Sequence, residues 1–123
     1  MLGWVAREYA SIIKEIEARG HDIGCHSDIH KLLYTLNKDQ FENDLKKSLN
    51  SIESIIGKKV ELYRAPAFSV SESNIWVFDV LAKHGIKIDC SVFPKKRDFG
   101  GFENFPSSKP TIIKTKNNKI IKE

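Results

Sequence analysis

Cysteine is scarce in this sequence, and no apolar run is long enough to cross a bilayer. Cys25 and Cys90 are the only two cysteines among 123 residues, too few for a disulfide scaffold, and each lies in an apolar, strand-like segment. We therefore expect two buried free thiols. No apolar run approaches the roughly 20 residues of a transmembrane helix. Charged residues also interrupt the first sixteen positions, unlike the core of a signal peptide. A cytoplasmic protein with no membrane partner is expected.

The sequence also has little net charge. Its formal charge is +4, and much of it comes from C-terminal lysines that only Glu123 opposes: Lys109, Lys114, Lys116, Lys119 and Lys122. This segment lacks the arginines and interleaved aromatic residues that are typical of a nucleic-acid surface. A solvated lysine-rich hairpin is favoured, and no nucleic-acid partner is expected. The composition, 41% hydrophobic and 29% charged, is that of one soluble globular domain.

Amphipathic helices alternate with short apolar strands along the chain. The apolar spacing predicts helices over 2–19, 36–56 and 71–84, ended by Gly20, Gly57 and Gly85. The expected N-caps are Asn37 and either Ser71 or Ser73. Strands are predicted in "HDIGC", "KVELYRAP" and "IKIDCSVF", and "TIIKTKNNKIIKE" predicts a hairpin that turns at Asn117-Asn118. The alternation predicts an α/β fold with parallel strands, whose chemistry collects where the strands end.

Polar residues cluster at those strand ends, first in "HSDIH". His26 and His30 are four apart, so on a helix or a tight turn both imidazoles can reach one ion. Neutral imidazole suits zinc and other late divalent metals. A third ligand is then required, for which Asp22 and Asp89 are candidates, whereas Asp28 would project elsewhere from a helix. The alternative is a histidine pair that is structural or exposed.

Arg64 ends the second predicted strand, just before Pro66 and Phe68. A guanidinium keeps its charge and needs an anionic partner if it is buried. Arg64 could therefore orient a catalytic carboxylate or a substrate oxygen, or it could form a weak surface pair. Pro66 fixes the adjacent backbone, and Phe68 offers an apolar wall.

Taken in order, "GHDIGCHSDIH", "YRAPAFS" and "DCSVFP" resemble the polysaccharide deacetylase family, the NodB-homology or carbohydrate esterase family 4 domain. The similarity runs from about Leu2 to about Pro94. It is strongest to the branch of the family that accompanies exopolysaccharide and O-antigen biosynthesis clusters. The resemblance implies a partial distorted (β/α) barrel with about three βα units, forming one domain over 1–123 with a loop and β-hairpin extension over 95–123. It implies hydrolysis of N- or O-acetyl groups on a polysaccharide or acetylated amino sugar, with a divalent metal, expected to be zinc.

The resemblance also gives roles to individual residues. His26 and His30 match the two metal-binding histidines of the family's H-[ST]-x-x-H motif, with Ser27 at the hydroxyl position. Arg64 matches the arginine that orients the catalytic base. The expected substrate-binding residues are Pro66, Phe68 and Asp89.

Two family motifs have no match in the sequence. One is the Asp-Asp motif that supplies the base and the third metal ligand, and the other is the late histidine motif that supplies the acid. We therefore expect a chain truncated at both ends, with little or no turnover alone. Exposed strand edges would favour a homo-oligomer or a complementary segment. The alternatives are a non-catalytic carbohydrate- or metal-binding module and a structural remnant of a split gene.

Overall fold

The computed structural model describes residues 1–116 and 119–123, which form an α/β fold. The helices are α1 Gly3–Glu8, α2 Ala10–Ala18, α3 Lys38–Ile56 and α4 Trp76–Lys83. The strands are β1 Leu62–Tyr63, β2 Ile88–Asp89, β3 Ile112–Lys114 and β4 Ile120–Lys122. Short 3-10 turns lie at Leu33–Thr35, Pro66–Phe68 and Glu72–Asn74. Within the described ranges, no helix has the length and apolar character to span a membrane. The location in the cell stays a prediction.

Helix α3 has the ends that its sequence predicts. The backbone N–H of Gln40 donates to the Asn37 side chain, and the Gln40 side chain accepts from the Asn37 N–H, both at 2.9 Å. This reciprocal pair is a capping box. Gly57 ends the helix with φ of 70°, in the left-handed region that favours glycine. The helix predicted over 71–84 begins as the 3-10 turn Glu72–Asn74, which Ser71, one of the two expected caps, precedes as N-cap. The α-helix α4 itself starts only at Trp76 and has no side-chain cap.

The first predicted helix is two helices. The chain bends at Tyr9, whose φ of −121° and ψ of 44° lie outside the helical region. The start of α1 is tied to the next segment, because Gly3 N–H donates to the Ser27 carbonyl at 3.0 Å and Trp4 N–H to the Asp28 carbonyl at 3.2 Å. The bend lets α1 keep those bonds while α2 buries Ile13 in the core. The prediction of one helix over 2–19 was therefore wrong.

The strands form one mixed sheet in the order β1-β2-β4-β3. Strands β1, β2 and β4 run parallel, and β3 pairs antiparallel with β4. The predicted first strand is reduced to Cys25, which forms an isolated parallel bridge with Tyr63 beside β1. The turn predicted at Asn117-Asn118 lies outside the described residues.

One face of the sheet packs against the helices. Cys25 pairs with Tyr63 and Tyr63 with Asp89, so these three buried side chains share that face. In the core above them, the Phe41 ring meets the Tyr63 and Trp76 rings edge-on, with centres 6.1 and 5.8 Å apart. Burying a side chain such as Phe41 contributes about 1.5–3 kcal/mol.

The next residue of each segment falls on the opposite, open face because side chains alternate along extended chain. His26, Arg64 and Cys90 occupy these positions, and Arg64 and Cys90 are exposed. The expectation of two buried thiols is therefore right for Cys25 and wrong for Cys90. Cys90 follows buried Asp89, so the alternation turns its thiol away from the helices.

An ion-pair cluster centred on Glu42 joins α3 to α4. The Glu42 side chain is 11% exposed, and its Oε1 accepts from Lys83 Nζ at 2.7 Å and from His84 Nε2 at 2.8 Å. Lys46 Nζ lies 3.6 Å away. The bonds from Lys83 and then His84 lower the pKa of Glu42 from 4.5 to about 2, against the opposing effect of burial. The carboxylate therefore stays charged down to acid pH.

Replacing Glu42→Gln is expected to lower the free energy of unfolding at pH 7. Because the folded-state pKa lies below that of the unfolded chain, the ionised carboxylate contributes stability above pH 4.5 that is lost as the pH falls towards 2. Urea unfolding at pH 7, 4 and 3 measures the difference between the two proteins, which should shrink with acidity. Glu103→Gln, an exposed glutamate without an ion pair in the described part of the chain, is the control. Equal stability of Glu42→Gln and the wild type at pH 7 would contradict this role.

Candidate metal and substrate site

His26 and His30 are brought together by a tight turn. Ser27 and His30 both have positive φ, 70° and 62°, so the segment is not helical. The Ser27 hydroxyl accepts from the His30 backbone N–H at 2.8 Å and closes the turn. The two imidazole ring centres lie 4.9 Å apart at an interplanar angle of 69°. Of the two geometries that the spacing allowed, the structure has the turn.

The His26 ring is held by the backbone of Arg64. Its Nδ1 lies 2.7 Å from the Arg64 carbonyl oxygen. Because a carbonyl only accepts, Nδ1 carries the proton and the Nε2 lone pair is left free. Metal-binding histidines are commonly oriented in this way. Burial lowers the pKa of His26 below its ordinary 6.5, so the ring is neutral at pH 7.

Asp28, between the two histidines, has a buried side chain that points away from them to two exposed cationic side chains. Its side chain is 3% exposed and contacts Arg7 Nη1 at 2.6 Å and Lys47 Nζ at 3.0 Å. Its backbone N–H donates to Asp44 Oδ2 at 2.9 Å. Burial alone would raise the pKa of Asp28, but the bonds from Arg7 and Lys47 bring it below its usual value. Helices α1 and α3 thus fasten the middle of the histidine turn, a link between distant residues that the sequence did not predict.

The two imidazoles fit two positions of a tetrahedral zinc site. Among residues 1–116 and 119–123, no three histidine, cysteine or acidic side chains lie close enough to hold a metal ion. Asp22 lines the same cavity as His26 without completing a cluster, and Asp89 lies on the opposite face of the sheet. Neither candidate for the third ligand is therefore in place.

Arg64 lies between two openings. On one side is a cavity of about 450 Å³ lined by Met1, Asp22, Gly24, Cys25, His26, Leu62, Tyr63, Arg64 and Cys90. On the other side, a groove of about 290 Å³ brings Arg64 together with Phe68 and Asp89. The exposed Arg64 side chain donates from Nε to the Cys90 carbonyl at 3.1 Å and lies 5.8 Å from the centre of the Phe68 ring. Pro66 is buried in its turn and lines neither opening.

Asp89 forms a buried acid pair beneath the groove. Asp89 is fully buried, and the Ser91 hydroxyl donates to its Oδ1. Asp89 Oδ2 and Glu123 Oε2 are both buried, and neither has a hydrogen-bond partner within the described part of the chain. Burial, followed by the hydrogen bond and charge of Glu123, raises the pKa of Asp89 well above its usual range. Asp89 therefore keeps its proton to a higher pH than an ordinary aspartate. Nothing in "NKIIKE" marked Glu123 as part of the site.

Replacing Asp28→Asn is expected to reduce the free energy of unfolding by about 1–3 kcal/mol, because the charge that Arg7 and Lys47 share is lost while the group stays buried. Urea unfolding at pH 7 measures the loss. The histidine ring signals of His26 and His30 in NMR spectra should broaden as the turn loosens. Asp98→Asn, an exposed aspartate, should change neither readout. Unchanged stability and ring signals in Asp28→Asn would show that the ion pair does not fasten the turn.

Replacing Asp89→Asn is expected to improve stability relative to the wild type as the pH rises. A carboxyl whose pKa is raised by folding contributes stability that is present below its unfolded pKa and is lost as the pH rises through its folded pKa. The asparagine amide donates to Glu123 at every pH and avoids this loss. Unfolding free energies at pH 4, 6 and 8 measure the effect. Glu123→Gln should reduce this pH dependence without removing it, because burial is the largest cause of the raised pKa of Asp89. If Asp89→Asn instead became less stable than the wild type as the pH rises, the raised pKa of Asp89 would be contradicted.

Comparison with known proteins agrees with the motifs. The sequence model of the polysaccharide deacetylase family matches residues 1–88. The chain is 27% identical over 88 residues to a peptidoglycan-N-acetylglucosamine deacetylase of Bacillus cereus, covering 72% of this chain and 32% of that protein. It is 26% identical over 112 residues to a chitin deacetylase of Pestalotiopsis sp., covering 85% of this chain and 38% of that protein. The chain thus spans about a third of the length of these curated relatives.

The fold also has known counterparts. A crystal structure from Mycobacterium smegmatis, described as that of a polysaccharide deacetylase, superposes on 98% of this chain and 37% of its own with a TM-score of 0.79 at 21% identity. This likeness confirms the predicted α/β fold, a partial barrel of the NodB-homology type. Because the family match over residues 1–88 covers well over half of the chain, the chain belongs to the polysaccharide deacetylase family.

Proposed function

We propose that this chain takes part in metal-dependent deacetylation of a polysaccharide, the hydrolysis of N- or O-acetyl groups, with His26 and His30 holding a divalent metal, zinc. One observation carries the proposal: the turn that places the two rings 4.9 Å apart while the Arg64 carbonyl leaves His26 Nε2 free. The names of relatives that act on peptidoglycan N-acetylglucosamine and chitin support an acetylated amino-sugar polymer as substrate. The motif resemblance supports an exopolysaccharide or an O-antigen as the polymer that carries these groups.

The residues around the metal position have separate tasks in this proposal. A bound zinc ion would polarise an acetyl carbonyl and lower the pKa of a water molecule. Arg64 uses its carbonyl to orient His26, and its guanidinium makes no ion pair with any residue in the described ranges. That guanidinium is free to orient a catalytic carboxylate or to hold a substrate oxygen. Pro66 fixes the turn that presents Phe68 as an apolar wall, and Asp89 contributes to the base of the groove.

The base, the acid and the third metal ligand come, in this proposal, from residues other than those that the structure describes. The histidine pair has no third ligand in the described part of the chain. The open sheet face is also partly apolar, with Ile88, Ile112 and Ile120 exposed. We propose that a complementary segment or a second copy of the chain covers this face and completes the barrel.

Zinc binding and acetate release by the purified chain test the proposal together. Isothermal titration with zinc should show binding that is lost in the double variant His26→Ala with His30→Ala, because both imidazoles are removed. His21→Ala, which removes an exposed histidine, should bind zinc like the wild type. Acetate release from chitotetraose with zinc should be at or near background, because in this proposal the base comes from residues other than those that the structure describes.

Zinc binding and acetate release test different parts of the proposal. Zinc binding that survives loss of both histidines would overturn the metal site. Zinc-dependent acetate release by residues 1–123 alone would overturn the proposal that the base comes from elsewhere. Zinc and sugar binding that never lead to turnover, even with the complementary segment supplied, would favour a non-catalytic binding module.

A further inference from the structure

Phe68 is a wall shared by two neighbouring cavities. On one side lies the groove of about 290 Å³ that also contains Arg64. On the other side lies a cavity of about 280 Å³ lined by Ala67, Phe68, Arg97, Asp98 and Phe99. The proposed function uses the first of these openings and gives no role to the second. A polymer that passes through the first opening would present its next unit to the second.

The backbone holds the Phe68 ring in place at a conformational cost. Ala67 and Phe68 are consecutive non-glycine residues with φ of 51°, in the left-handed region. The carbonyl of Phe68 accepts from Gly101 N–H at 2.8 Å. A Cβ on Gly100 would lie 2.3 Å from the Ala67 carbonyl oxygen and 2.4 Å from that of Phe68, so only glycine allows the loop to approach so closely. Strained backbone held by its surroundings in this way is typical of ligand sites.

Two arginines flank the Phe68 ring. The guanidinium carbons of Arg64 and Arg97 lie 5.8 and 6.0 Å from the centre of the Phe68 ring. Arg97 also lies 4.6 Å from the centre of the Phe93 ring. Unlike Arg7 and Arg19, neither arginine forms an ion pair with any side chain in ranges 1–116 and 119–123. Asp98, next in sequence to Arg97 and in the same cavity, is not paired with it.

A guanidinium stacked on an aromatic ring keeps its N–H donors available in a fixed plane. Those donors match a carboxylate or a phosphate group, which can accept two of them together. Lys96, next to Arg97 in the sequence, is also exposed. The cavity thus combines aromatic walls, suited to a sugar ring, with the guanidinium of Arg97, which forms no ion pair with the Asp98 that also lines the cavity and can hold an anion.

We propose that the cavity beside Arg97 is a second sugar-binding position, and that it takes a sugar bearing an anionic substituent, a carboxylate or a phosphate. The inference rests on the proposed function, since it takes the groove at Arg64 as the position of the neighbouring sugar. The substrate is therefore an acidic polysaccharide. Phe68 lies between the sugar that reacts, in the groove at Arg64, and the sugar that carries the anionic group, in the cavity beside Arg97.

Affinity measurements with matched oligosaccharides test the inference. Isothermal titration compares chitotetraose with its carboxymethylated and its phosphorylated forms at low salt. The wild-type chain should bind at least one anionic form about tenfold more tightly than the neutral one. Which of the two anionic forms binds more tightly shows whether the cavity takes a carboxylate or a phosphate. Arg97→Gln should reduce this preference to near unity, while Lys96→Gln, the matched loss of a neighbouring charge, should keep most of it.

A second variant addresses the shared wall. Gly100→Ala should weaken binding of the neutral and the anionic oligosaccharide alike, because the added methyl group displaces the turn that holds Phe68. Equal affinities for the three sugars in the wild type would overturn the inference, as would equal losses in Arg97→Gln and Lys96→Gln. The titrations need neither metal nor turnover. Absence of zinc binding therefore counts against the proposed function alone, and absence of anion preference counts against this inference alone.

Discussion

The register of three parallel segments decides which side chains reach the candidate site. Cys25 N–H donates to the Leu62 carbonyl at 2.8 Å, Arg64 N–H to the Cys25 carbonyl at 3.0 Å, and Cys90 N–H to the Tyr63 carbonyl at 2.9 Å. These bonds direct one row of side chains into the core and the next row to the open face. A slip of one residue in any segment would exchange the rows. The packing of the core and the composition of the site are therefore specified by the same hydrogen bonds.

Two strained turns lie on either side of Arg64, and each is held by a different device. The turn with Ser27 and His30 is fastened through the charged side chain of Asp28 to two helices. The turn with Ala67 and Phe68 is fastened by backbone contact with a glycine-containing loop. Non-glycine residues with positive φ persist only where the surrounding structure requires them. Their concentration around one arginine distinguishes this part of the surface from the rest.

The ends of helices were predicted correctly where the signal lay in neighbouring residues of the sequence. Asn37 and Gly57 marked the ends of α3 because capping depends on residues close in sequence. The bend at Tyr9 had no such signal, since it follows from bonds to Ser27 and Asp28 and involves neither glycine nor proline at the bend.

The site shows the same division between local and distant information. The spacing of His26 and His30 and the motif around Arg64 were readable, whereas the partners that hold them were not. Arg7 is 21 residues from Asp28, and Asp89 is 34 positions before Glu123. Such pairs depend on how the sheet and helices assemble. The position of Cys90 was missed because a short apolar segment does not reveal which of its alternating positions face the core.

The exposure of Cys90 gives the chain a built-in attachment point. The other thiol, Cys25, is 2% exposed, and burial raises its pKa, so little of the reactive thiolate forms there. A thiol-specific fluorophore or spin label would therefore modify Cys90 selectively in the unaltered protein. Because Cys90 lines the same cavity as His26 and Arg64, the label would stand at its mouth and report on whatever enters it.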